Sequence, residues 1–127
     1  MPEPVVEKDK ATDQQSSAYL EGLLQTKRGL RSAYRTLLAR RDNADADETA
    51  YIDVELDKNQ SEYLKVDAEE KAYLSQNVKF APPSQQDVDQ IKAIVRRIDG
   101  MTADNVQARD IVNATTALLN KWQETRA

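Results

Sequence analysis

The charge of this chain reverses sign at one turn. Residues 14–41 hold six basic side chains and one acidic, a net +5, whereas residues 42–76 hold three basic and eleven acidic, a net −8. Between them lies Asp42-Asn43-Ala44-Asp45, a run of turn-forming residues. Two long stretches of opposite sign on either side of a short turn fold most simply against each other, as an antiparallel helical hairpin with electrostatically complementary arms. The flanking segments contribute little, −2 from residues 1–13 and +1 from residues 77–127, for a net −4 over 127 residues.

Apolar spacing gives the arms their helical character. Leu20, Leu23, Leu24, Leu30, Tyr34, Leu37 and Leu38 recur at three and four residues. They predict a first helix from Thr12 or Asp13, where Thr12 and Gln15 have capping-box spacing, to about Arg41. Gly22 and Gly29 fall inside it, at ~1 kcal/mol each against alanine. Residues 1–12 have two prolines and no periodicity and read as a flexible N-terminal tail. Asp45 and Glu48 cap a second helix that runs to about Gln76 on a thin stripe of Ile52, Leu56, Tyr63, Val66 and Leu74, with Asn59 in its middle.

Pro82 and Pro83 end helical structure, so residues 77–83 read as a linker. Ser84 and Asp87 cap a third helix with Val88, Ile91, Ile94, Val95 and Ile98 on one face, closed by Gly100. A fourth helix opens at Thr102 and carries Val106, Ile111, Val112, Thr115, Leu118, Leu119 and Trp122. The fold class is all-α: a long hairpin over 13–76 and a shorter one over 84–127, in one helical domain over 13–127. The hairpins either close into an elongated four-helix bundle or leave the long one projecting as a coiled coil.

With the turn near residues 43 to 45, facing positions of the long hairpin have numbers adding to about 87 or 88. Leu24 then faces Tyr63 or Leu64, and Leu37 faces Tyr51 or Ile52. Arg31 is expected to pair with Asp57 or Glu55, and Lys27 to find a polar partner beside Asn59. Alanine supplies 16 of the 50 hydrophobic residues, so large core-forming side chains number only 34. That shortage suggests a surface completed by a second copy or a partner protein. Tyr51, Tyr63, Tyr73, Trp122, Arg35 and Arg40 are its candidates.

Several chemistries are excluded. Without His or Cys the chain has neither the usual general base nor thiolate or imidazole metal ligands. An EF-hand loop begun at Asp45 fails at Ala50 and Leu56, where glycine and glutamate are required. The carboxylates of Asp53 and Asp57 lie one turn apart, a spacing that a solvated acidic helix produces by itself. No glycine-rich phosphate loop or nucleophile elbow is present. No catalytic, cofactor-binding or metal-binding residue is assigned, and no enzyme is expected.

Lys27, Arg28, Arg31, Arg35, Arg40 and Arg41 form a basic strip, with Arg96 and Arg97 a smaller one. A pI near 4.9 opposes phosphate-backbone binding, so nucleic acid is not an expected partner. No apolar run exceeds that of Ala93–Val95, which excludes a membrane span. The polar N-terminus lacks the apolar region of a signal peptide, so a cytoplasmic location, or one within an assembled particle, is expected. The expected function is that of a non-enzymatic protein–protein interaction or assembly protein: an oligomer subunit, adaptor or chaperone of a bacterial or phage assembly. The alternative is an acidic inhibitor that binds a single enzyme through its second helix, as a nucleic-acid mimic.

Overall fold

The computed structural model describes residues 2–75 and 83–125, with side chains from residue 17 onward. Four helices follow in order: α1 (Pro2–Arg41), α2 (Ala46–Leu74), α3 (Gln85–Asp99) and α4 (Ala108–Thr125). No strand occurs among the described residues. Helix α1 begins at Pro2 and not at Thr12, so the stretch read as a tail is helical. Pro2 and Pro4 fall in the first turn, where backbone amides have no intrahelical acceptor and a missing N–H costs no bond. Apart from Pro83, which is buried, the linker at 77–83 lies outside the described residues.

The caps explain the other boundaries. Asp45 accepts a hydrogen bond from the Glu48 amide at 2.8 Å and opens α2. Ser84 and Asp87 form a complete capping box at α3, each side chain accepting from the other's amide. Helix α4 opens at Ala108, six residues after the predicted Thr102. Asn105 accepts from the Thr102 amide at 2.8 Å and Asp110 from the Gln107 amide at 3.0 Å. These side chains hold 102–107 as a turn and move the helix start past it.

Helix α1 is the spine of the molecule. It packs against α2, α3 and α4, whereas α2 and α3 do not meet and α2 touches α4 only marginally. The second hairpin therefore folds onto the first, giving a helical bundle that is open between α2 and α3. Arg40–Glu48 and Tyr19–Glu69 contacts set α2 antiparallel to α1. Lys92–Glu21 and Arg28–Asp99 ion pairs set α3 parallel to it. Helix α4 returns antiparallel along Gly22, Thr26, Gly29 and Ala33, a face of α1 with small, buried residues at helical spacing. Trp122 fills the space over Gly22, and Leu118 with Val95 the space over Gly29. Close approach lets a chain short of large apolar residues still bury Leu23, Leu30, Leu37, Ile52, Ile91, Ile111 and Leu118 in one core.

Candidate interaction surface

The seam between α1 and α2 sets the geometry of the surface beside it. Tyr19 meets Glu69, Asn59 donates to the Leu30 carbonyl at 3.1 Å, and Arg40 meets Glu48. These contacts keep the expected register to within about two residues. The long basic side chains do not follow it. The Lys27 ammonium bonds Glu70 at 2.7 Å and Asp67 at 2.8 Å, well beyond Asn59 along α2. Arg31 lies over the Tyr63 ring, 5.1 Å from its centroid, and not against Asp57 or Glu55.

The cause is side-chain direction. Helical side chains lean toward their own N-terminus, which in an antiparallel pair is the partner's C-terminal direction. Lys27, Arg31 and Arg41 accordingly meet Asp67, Tyr63 and Asp53 further along α2 than the residues facing them. The hydrogen bonds it donates to Asp67 and then Glu70 hold the Lys27 ammonium well above the usual lysine pKa. The same bond from Lys27, followed by one from Lys71, depresses the Asp67 carboxyl.

The six residues singled out as a surface separate in space. Trp122, 1 % exposed, is a core residue, because Gly22 leaves a slot that its ring fills. Tyr73 packs against Tyr19 with ring centroids 4.9 Å apart, at the edge of that core. Tyr51 is exposed near the start of α2, and partial burial followed by Glu55 raises its phenol pKa. Arg40 is tied down, donating to Glu48 and to the Ala103 carbonyl at 3.2 Å. Only Arg35 and Tyr63 come together, with Arg31.

They do so on the open side of α1. Between α2 and α3 the spine presents Leu24, 47 % exposed, then Arg31 and Arg35, then Leu38, 42 % exposed. Gln60, Tyr63 and Leu64 of α2 form the neighbouring wall, with Leu64 58 % exposed. Arg31, Arg35, Tyr34, Tyr63 and Leu64 line a shallow cavity of about 380 Å³ there. On α1, Lys27, Arg28, Arg40 and Arg41 each hold a carboxylate. Among the described residues, Arg31 and Arg35 hold none. Two guanidiniums one turn apart thus sit among three exposed leucines and a tyrosine face.

Leu24 and Leu38 belong to the apolar stripe predicted for the first helix, and Leu64 is expected only as an alternative to Tyr63 opposite Leu24, yet all three are exposed. Their spacing carried the missing signal: Leu24, Arg31 and Leu38 repeat at seven residues, one step round the helix from buried Leu23, Leu30 and Leu37. A second groove, of about 610 Å³, runs where α2 and α4 diverge, between Glu55, Lys58 and Glu62 on one side and Val112, Thr116 and Leu119 on the other. Among the described residues no acidic cluster has the geometry of a metal site, and no helix is long and apolar enough to cross a membrane. The chain matches no protein-family model, no curated protein and no solved structure.

Proposed function

We propose that the chain is a non-enzymatic protein–protein interaction module, a subunit, adaptor or chaperone of a larger assembly, and that it works through the open face of its α1–α2 hairpin. The observation that carries this reading is that Arg31 and Arg35 line one cavity with Tyr63 and exposed Leu64, with exposed Leu24 and Leu38 seven residues to either side of Arg31 on α1. Apolar side chains gathered on one face and interleaved with arginine and tyrosine have the composition of interface cores. The inhibitor reading has weaker support, because α2 uses most of its carboxylates within the chain. Glu48, Asp53, Asp67 and Glu70 hold α1, while Glu55 and Glu62 hold lysines one turn away.

The test is a chain carrying Leu38→Gln and Leu64→Gln together, produced with an affinity tag in the native host. The parent is expected to co-purify with a stoichiometric partner, another protein or untagged copies of itself. The variant should lose at least about nine-tenths of it while its thermal midpoint stays within ~2 °C, since both side chains are exposed. Equal retention of the partner by the variant would contradict the reading.

A further inference from the structure

We infer that the open face takes an acidic amphipathic helix of another protein, laid along α1 with its carboxylates on Arg31 and Arg35. This rests on the reading of that face as an interaction surface and names the chemistry of its occupant. Charge selects an acidic one. The wall that α2 gives the cavity is Asn59, Gln60, Tyr63 and Leu64, none of them a carboxylate. Arg31 and Arg35 are both exposed, and nothing on that wall neutralises them. The Arg31 guanidinium rests on the Tyr63 ring, 5.1 Å from its centroid, and an aromatic contact leaves its N–H groups as donors. A third arginine stands on the opposite rim. On α3, Asp87 pairs with Lys121 of α4, whereas Lys92 and Asp99 pair with Glu21 and Arg28 of α1. Arg96 is exposed and within one turn of both Lys92 and Asp99, which places it on the edge of α3 beside the open face and away from α4. Among the described residues Arg96, like Arg31 and Arg35, holds no carboxylate.

Shape selects a helix. Leu24, Arg31 and Leu38 repeat at seven residues along α1, the spacing at which one helix offers a seam to another, and they span ~21 Å. The register of Tyr19–Glu69 and Arg40–Glu48 brings Leu64 of α2 level with Leu24. No sheet edge is present among the described residues to pair with an extended strand. A helix lying here covers the one side of α1 that α2, α3 and α4 leave open. It is apolar where it meets Leu24 and Leu64, acidic across Arg31 and Arg35, and apolar again at Leu38. Two guanidiniums one turn apart suit carboxylates on such a helix, since each can hold both oxygens of one group. A nucleic-acid strand would satisfy the arginines through its phosphates but leave the three exposed leucines in water.

Fluorescence anisotropy on the full chain tests this with two labelled probe peptides of about three heptads, each stapled as a helix on its outer face. Both carry Leu at the a and d positions; one has Glu at e and g, the other Lys. The Glu peptide should bind the parent at least about ten-fold more tightly than the Lys peptide, and lose about ten-fold between ~50 and ~500 mM salt. Arg31→Glu with Arg35→Glu should invert the preference, and Leu64→Gln should weaken the Glu peptide without changing its salt dependence, circular dichroism being unchanged throughout. No binding of the Glu peptide up to ~200 µM chain, or equal binding of the two peptides, overturns the proposal. So does a single-stranded DNA of matching charge that binds as tightly as the Glu peptide and is released by the same reversal, since the arginines would then be a phosphate site. A parent that self-associates in sedimentation, and ceases to in the Arg31→Glu, Arg35→Glu chain, would seat a second copy there and overturn it too. In each of these cases, loss of a protein partner by the Leu38→Gln, Leu64→Gln chain in the host would leave the functional reading standing and only the occupant wrong.

Discussion

The six-membered ring of Trp122 lies against the backbone of Gly22 so closely that a β-carbon there would sit 2.6 Å from Cζ3. At Gly29 a β-carbon would meet Leu118 Cδ2 at 2.5 Å and Val95 Cγ2 at 3.0 Å. By helix propensity alone, alanine at either position would gain ~1 kcal/mol. The packing reverses that sign. Gly22→Ala is expected to destabilise the chain by ~1–3 kcal/mol in urea unfolding, because a buried indole has nowhere to move. Gly29→Ala should cost less, since Leu118 can adjust its rotamer.

Gly100 is the control. Its φ of −80° is an ordinary right-handed value, and a β-carbon there would meet only the Arg96 and Arg97 carbonyls at 3.6 Å. Gly100→Ala should leave stability unchanged or raise it by up to ~1 kcal/mol. A clear loss would show that the α3 terminus needs glycine after all.

Asn59 is 6 % exposed in the middle of the α1–α2 seam, and its one recorded bond goes to the Leu30 carbonyl. A buried polar residue at such a position specifies register more than it stabilises. Asn59→Leu is therefore expected to be at least as stable as the parent, while Asn59→Ala should lose ~1 kcal/mol or more through the emptied space and the lost bond. An Asn59→Leu chain clearly less stable than the parent would make the hydrogen bond a net contributor.

Stability should be flat across the neutral range and fall at both ends. The Arg41 hydrogen bond lowers the Asp53 carboxyl, and the Lys27 hydrogen bond lowers that of Asp67. Stability from depressed carboxylates is complete above their unfolded value near 4 and is lost as pH drops through the folded values. Lys27 is raised, so its contribution is complete below about pH 10 and is lost as pH climbs further. The chain has no histidine or cysteine side chain to titrate in between. Thermal midpoints should stay within ~2 °C from about pH 5.5 to 9 and decline below about pH 4. A midpoint that slides through the neutral range would contradict this assignment.

Local rules of sequence reached far into this fold. The Asp45 and Ser84 caps, most of the four apolar stripes and the register of the long hairpin follow from spacing and capping chemistry and recur in the structure, whereas Leu24, Leu38 and Leu74 of those stripes are exposed. What spacing leaves open is the third dimension. Trp122 is surface or core depending on a glycine a hundred residues earlier, and no local pattern links the two. Lys27 finds Asp67 and Glu70 through the lean of its side chain, which a face-to-face register omits. Leu24 and Leu38 repeat at the same seven-residue interval as buried Leu23, Leu30 and Leu37, and they lie on the side of α1 where α2 and α3 do not meet.

On the proposed reading the chain meets its partner on the α1 face between α2 and α3. Site-specific photo-cross-linking in the native host tests it most directly, with the photoreactive residue placed in turn at positions 24, 38 and 64 on the face and at 90 and 113 on exposed positions of α3 and α4. Covalent adducts at 24, 38 and 64, to a second copy or to another protein, with none at 90 and 113, are the predicted result. Adducts confined to 90 or 113 would contradict it.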